Sequence, residues 1–294
     1  MAERDGSASD TRPPGSGRPE LERVRRAFGR AAAGYDAAAV LQREVGRRLL
    51  DRLAYIRLRP RRVLDAGCGT GAESVQLLAR YGGCEVIALD LAQPMARRAA
   101  RRRYRWRRPR ALCGDIHRLP LADATVDLVF SNLALQWSSA PDAVLGEFLR
   151  VLRPGGLALF STFGPDTLGE LRAAWSAADP AHTHVNDFMD LHDLGDLMMA
   201  RGFADPVTDA ERIVLTYTEL SGLMRDLKAI GAQNHTLGRP RTLMGKGRFH
   251  RFRQAYERYR RADGRLPATF EVVYGLGWKA EQRLHVRVVG RSAS

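Results

Sequence analysis

Residues 63–72, Val-Leu-Asp-Ala-Gly-Cys-Gly-Thr-Gly-Ala, drive an apolar strand into a glycine-rich turn and out of it into a helix. No other stretch constrains the fold as strongly. The turn needs glycine because the chain reverses tightly and because a ligand at this place must approach bare backbone. A strand, a glycine turn and a helix in immediate succession open a βαβ unit. Taken alone, Gly67-x-Gly69-x-x-Ala72 also fits a dinucleotide fingerprint, so the turn fixes the local fold before it fixes the ligand.

The pattern continues on both sides of the turn. Residues 21–53 read as one helix with Leu, Val, Ala and Phe at helical spacing. A strand begins over 62–65, and helices are expected over 72–80, 94–103 and 141–152. Apolar strands are expected over 85–90, 111–114, 126–131 and 157–163. Short apolar strands alternating with helices imply a mostly parallel sheet covered on both faces, an α/β fold. After Gly164 the alternation stops. Helices over 166–177 and 191–201 flank a polar stretch with His182, His184 and Asn186, which suggests an insertion over the carboxyl edge of the sheet. Strands over 213–217 and 269–274 and helices over 220–230 and 249–260 complete the reading.

Acidic residues stand at the ends of three successive strands: Asp65, Asp90 and Asp115. Open α/β sheets bind ligands at those ends. Asp65 at the mouth of the turn would repel a pyrophosphate but suit a cationic amino group. Asp90 can accept from both hydroxyls of a ribose. Asp115 can accept from an adenine amino group while Ile116 packs on the ring. As an ordered set, Asp65 to Gly71, Asp90, Asp115 and the run Leu152-Arg153-Pro154-Gly155-Gly156 resemble the motifs of class I S-adenosylmethionine-dependent methyltransferases. The resemblance implies a Rossmann-like, mostly parallel seven-stranded sheet with a helical lid insertion, and S-adenosyl-L-methionine as cofactor. It also implies that Gly67, Gly69 and Gly71 line the methionine end, that Asp90 holds the ribose and Asp115 the adenine, and that Asn132 and Leu133 stand beside the sulfonium.

The flanks narrow the family. Residues 28–36, 131–137, 160–171, 185–203, 223–234 and 266–278 are similar to the malonyl-acyl-carrier-protein methyltransferases of biotin synthesis. That implies methyl transfer to the free carboxylate of a malonyl thioester on acyl carrier protein, with Tyr35 closing over the cofactor. Such a carboxylate is already ionised near neutral pH, so the reaction needs no general base, and no catalytic residue is named. A cationic holder, most naturally an arginine, is expected for it; Arg225, Lys228 and Arg239 lie in the distal region expected to cover the acceptor. Two alternatives stay open: a protein-modifying relative like the arginine-hydroxylating complex I assembly factor, and an RNA-associated basic protein.

That last alternative comes from charge. The net charge is +14, and of 47 basic residues only Lys228, Lys246 and Lys279 are lysine, which leaves 44 arginines. Such a surface favours encounters with anions. The densest run, over 97–110, has Tyr104 and Trp106 interleaved, as a nucleic-acid groove would, yet reads as a solvated helix end and loop, so a nucleic-acid partner is not expected. No apolar run approaches the ~20 residues of a membrane span. Residues 1–20 are polar, lack the apolar core of a secretory signal and read as a disordered tail, so a cytoplasmic protein is expected. The division that follows is a tail to 20, a cofactor-binding core over 21–163, an acceptor lid with the rest of the sheet over 164–280, and a tail over 281–294. Cys68, Cys84 and Cys113 read as buried reduced thiols. His182, His184 and His192 lack a full ligand set and read as lid histidines, so no metal is expected.

Overall fold

The strand after Arg61 is buried along nearly its whole length, and so are its neighbours, as a sheet covered on both faces requires. The computed structural model describes residues 20–230 and 245–281. In chain order the elements are α1 (Leu21–Ala31), α2 (Tyr35–Ala38), α3 (Val40–Arg52), β1 (Arg62–Ala66), α4 (Ala72–Arg80), β2 (Glu85–Asp90), α5 (Gln93–Ala99) and β3 (Arg110–Cys113). There follow β4 (Val126–Ser131), α6 (Pro141–Val151), β5 (Leu152–Phe163), α7 (Gly169–Ala178), α8 (Leu191–Arg201), β6 (Phe203–Tyr217), α9 (Leu220–Ala229), α10 (Lys246–Glu257) and β7 (Leu266–Lys279).

The seven strands form one sheet in the order β3-β2-β1-β4-β5-β7-β6, in which β7 runs antiparallel to both its neighbours. This is the class I methyltransferase order, a mostly parallel seven-stranded sheet with helices on both faces. On one face Leu41, Val45 and Leu49 of α3 share a core with α4, α7, α9 and α10. On the other, Val144, Leu145 and Phe148 of α6 pack with Leu194 and Met198 of α8. The strand order reverses between β1 and β4, and a ligand crevice is expected outside the strand ends there.

Three expectations need correction. Residues 21–53 are not one helix. Breaks at Gly34 and Ala39 divide them into α1, α2 and α3. A straight helix of that length would extend about 50 Å. Folding it back lets Phe28 and Tyr35 pack on Ala92 and Met95 while α3 fills the core on the other side. The last two strands are far longer than their apolar centres: β6 alternates half-buried and exposed positions because it is the sheet edge, and its pairing with β7, unbroken from Val207 to Tyr217 after an irregularity at Ala204, sustains its polar residues. Cys68 and Cys84 are buried, but Cys113 is exposed, because it ends the edge strand β3. Both terminal tails, apart from Glu20 and Glu281, lie outside the described residues, as does Arg239. No helix among the described residues is long and apolar enough to cross a membrane.

Candidate active site

The glycine turn is shaped by two close approaches. Gly67 has φ +79°, and a Cβ there would stand 2.3 Å from the Ala134 Cβ; Gly71 has φ +81° and only 2.8 Å to the Ala99 Cβ. Both positions demand glycine on backbone and space alike. The amides of Gly67 and Cys68 donate to the Leu89 carbonyl at 2.8 and 2.9 Å, which ties the turn to β2.

Tyr35, Gly67, Gly69, Asp90, Asp115, Ile116, Asn132 and Leu133 come together around one cavity at the carboxyl ends of the strands. Asp65 and Gly71 do not line it. Because β1 continues to Ala66, Asp65 lies inside the sheet rather than at the mouth of the turn. It is 1% exposed, accepts from the Ser74 hydroxyl at 2.5 Å, and is pushed up to about 8 by burial and by the nearby Glu73 and Asp90. Gly71 instead packs under α5.

Asp90 is held from below, one oxygen accepting the Gly69 amide at 2.9 Å and the other the Ala92 amide at 2.8 Å. Burial raises its carboxyl to about 6. Oδ1 of Asp115 accepts the His117 amide at 2.9 Å and stands 2.6 Å from the His117 Nδ1, while the His117 Nε2 stands 2.6 Å from the Ser138 hydroxyl. Burial, then the charges of Glu73, Asp90 and Asp36, push the Tyr35 phenol well up, so it keeps its proton. The Asn132 carboxamide is a staple: Nδ2 donates to the Gln42 carbonyl at 2.9 Å and Oδ1 accepts from the Ser161 hydroxyl at 2.9 Å. Leu133 has φ +50°, a conformation a branched residue holds only under constraint; its amide is fixed by the Ser161 hydroxyl at 3.0 Å.

Sequence reasoning missed several residues here. Glu73, raised to about 7 chiefly by burial, lies 3.3 Å from the Asn132 Nδ2; its only signal was its place just after the glycine turn. His117 lines the cavity two residues beyond Asp115. Phe28 and Trp137 meet edge to face at 5.3 Å over it, brought together by folding that no local pattern announces.

A second cavity, of about 390 Å³, adjoins the first and shares Trp137 with it. Its walls are mostly carbon: Phe163 from β5, Leu171 and Trp175 from α7, Phe188 from the segment before α8, Met224 and Leu227 from α9, and Phe270 from β7. Lys228 lines it; Arg225 is exposed on α9 and does not. The expected arginine fork is therefore absent among the described residues of the cavity.

The three histidines do not converge. His184 stacks on Trp175 at 4.0 Å and sits 2.9 Å from Asp179, which also holds His182 and Arg248. His192 pairs with Asp190 at the start of α8. No group of three or more side chains suited to a metal occurs among the described residues. In the basic run, Arg107 turns inward to the Leu78 carbonyl at 2.8 Å and Arg102 to Asp36 at 2.5 Å, while Trp106 is 82% exposed.

The model of the family described as "Methyltransferase domain" matches residues 64–160. The malonyl-[acyl-carrier protein] O-methyltransferase of Laribacter hongkongensis is 56% identical over 273 residues, 90% of this chain and 91% of that one. The protein of the same name from a Methylovorus species is 52% identical over 268 residues, 89% of this chain and 90% of that one. Among solved structures, the YcgJ protein of Bacillus subtilis superposes with a TM-score of 0.53 over 79% of this chain and 98% of that one, at 17% identity, a likeness of fold.

Proposed function

The chain belongs to the malonyl-[acyl-carrier protein] O-methyltransferase family and is an S-adenosylmethionine-dependent methyltransferase, and from that membership we propose that it methylates the free carboxylate of a malonyl thioester borne by acyl carrier protein. The product would be the methyl ester that primes pimeloyl synthesis for biotin, in the cytoplasm. The observation that carries the reading is the pair of cavities meeting at Trp137, one bounded by carboxylates and one walled mostly by carbon with no carboxylate among its described lining residues.

The first cavity fits the cofactor. Gly67 and Gly69 offer bare backbone, Asp90 offers two anchored oxygens, and Ile116 and Leu133 offer apolar faces. When bound, S-adenosylmethionine supplies an electrophilic methyl group on a cationic sulfur. Asp90 would accept from the ribose hydroxyls, its oxygens already aimed by the two backbone amides. Asp115, steadied by His117, would meet the adenine edge above Ile116. Gly67 and Gly69 would border the methionine end, and Tyr35 would cover it as a neutral hydroxyl. Asn132 and Leu133 would shape the wall beside the sulfur. We assign Asp65 and Gly71 to support of the turn, through Ser74 and Ala99, not to contact. Residues 164–280 would supply the acceptor cover.

The acceptor carboxylate is ionised at neutral pH. Its oxygen gains the bond to the methyl carbon as the carbon–sulfur bond breaks, and no proton is released. The protein's part is to strip water from the carboxylate and align it with the methyl group; alignment of this kind is worth up to ~7–11 kcal/mol of barrier. The test is incubation with malonyl-carrier protein and labelled S-adenosylmethionine. The carrier should gain one methyl group that mild base removes, and acetyl- and butyryl-carrier protein, which offer no carboxylate, should stay unmodified. Transfer to acetyl-carrier protein at a comparable rate overturns the carboxylate reading. With the cofactor bound, no transfer to any malonyl thioester would point instead to a protein-modifying relative.

A further inference from the structure

The second cavity carries a feature that its apolar walls make conspicuous. Five of its lining side chains are polar: Gln42, Thr167, His184, Asn186 and Lys228. Two of these are satisfied by the protein. The Thr167 hydroxyl donates to the Glu271 carbonyl at 3.0 Å and accepts the Glu271 amide at 3.1 Å. His184 is committed to Asp179 and stacked on Trp175, and burial lowers its basicity, so it brings no cation to the cavity. Lys228 is exposed, at the rim. The two carboxamides differ from all of these. Asn186 is 5% exposed, and its Oδ1 is buried without a hydrogen-bond partner; the Gln42 Oε1 is buried without one as well.

A buried polar atom left unpaired destabilises a fold, so folded proteins keep few of them, and those few call for an explanation. Both residues line the one cavity, where a ligand with oxygens to bind would meet carboxamides the fold has not fully used. A carboxamide carries two N–H donors beside its oxygen, and a half-turn about the last side-chain bond exchanges the two ends, so either residue can turn a donor toward the cavity it lines.

Their backbones are fixed in a way that suits separate tasks. The Gln42 carbonyl accepts from Asn132, a residue of the first cavity, so Gln42 stands on the wall between the two cavities. The Asn186 carbonyl accepts from the Arg172 Nη2 at 3.2 Å, which anchors it to α7. We propose that the carboxamides of Gln42 and Asn186 grip the malonyl headgroup, Gln42 donating to the reacting carboxylate beside the cofactor and Asn186 to the thioester carbonyl. This rests on the acceptor reading given above.

The chemistry favours neutral donors at that position. A guanidinium would bind a carboxylate in a bidentate, charge-assisted pair and draw electron density from the oxygen that must attack. A carboxamide positions the same oxygen without neutralising it. Lys228 at the rim can draw the anion in and then leave the deeper, reacting end to uncharged donors.

The experiment measures steady-state methylation of malonyl-carrier protein, cofactor affinity by calorimetry and thermal unfolding for the wild type and three variants. Gln42→Met and Asn186→Leu should each lower kcat/KM on the order of 10–100-fold, the loss of one hydrogen bond to a charged or polarised oxygen, with cofactor affinity within twofold of wild type. Asn186→Leu should also raise the unfolding midpoint of the free protein, because an unpaired polar atom gives way to carbon; a purely structural asparagine would lower it. Gln42→Glu keeps the size and sets a carboxylate against the substrate carboxylate. It should lose more activity than Gln42→Met at pH 8 and recover part of it at pH 6. This variant decides the question if Gln42→Met fails to fold. Wild-type transfer together with kcat/KM within twofold in the folded variants overturns the assignment of Gln42 and Asn186 alone. A wild type that binds the cofactor and methylates no malonyl thioester overturns the acceptor reading, and the assignment with it.

Discussion

The two cavities that meet at Trp137 are opposite in kind. The first is bounded by Asp90 and Asp115, at the carboxyl ends of adjacent strands. The second has no carboxylate among its described lining residues and presents mostly carbon, with two carboxamides whose oxygens are unpaired, a threonine, a histidine and one lysine. One suits a cationic methyl donor and the other an anionic acceptor, and the reaction brings those charges together. Fixed carboxylates on the donor side raise the local preference for positive charge, and leaving them out of the acceptor side spares the nucleophile their repulsion.

The comparison breaks most completely at the glycine turn. Gly67→Val should abolish S-adenosylmethionine binding by calorimetry, since its side chain must displace Ala134 and strain a φ of +79°, while circular dichroism retains most of the sheet signal. Normal binding would show that the turn does not approach the cofactor.

The next effect sharpens the electrostatic side. Asp65 titrates near 8 in the folded protein and near 4 in the unfolded chain. The folded state therefore holds its proton over a range where the unfolded state has lost it. The stability this contributes is full below pH 4 and declines as pH rises to about 8, by up to about 1.4 kcal/mol per unit. Asp65→Asn keeps the Ser74 partner and removes the titration, so its unfolding midpoint should fall less than that of the wild type between pH 5 and 8. Parallel curves would mean that Asp65 is ionised in the fold.

Asp90→Ala should weaken cofactor binding by about 1.5–3 kcal/mol, as the ribose hydroxyls lose a charged acceptor. Part of the loss comes from the freed Gly69 and Ala92 amides. Unchanged affinity in a folded variant would remove Asp90 from the ribose.

The smallest effect lies outside both cavities. Raising salt should slow methylation of malonyl-carrier protein several-fold through kcat/KM more than kcat, because exposed charges are screened within about 8–10 Å at 0.1–0.15 M. A small malonyl thioester should show much weaker salt dependence; equal dependence would deny the basic surface any part in steering the carrier.

The donor side was largely legible in the sequence, and the reason is locality. A strand that must be buried on both faces is written as an apolar run, a turn with positive φ is written as glycine, and a ligand at strand ends draws its carboxylates from consecutive units of the alternation. Of the ten cofactor residues expected from those signals and from the family resemblance, which alone supplied Tyr35, Asn132 and Leu133, eight line one cavity. Asp65 was misplaced because one more strand residue, Ala66, turns it from the mouth of the turn into the sheet.

By itself, then, the sequence determined the βαβ alternation, the glycine turn and the order of acidic strand ends. Only the tertiary structure decided that the first helix folds back in three pieces, that Asn132 joins α3 to β5, and that Gln42 and Asn186 line one void. The physical reason is that a carbon-walled pocket uses the same residues as a core. Phe163, Trp175 and Phe270 read as buried apolar positions wherever they sit, and which of them border empty space depends on contacts between segments as much as 228 residues apart, from Gln42 to Phe270.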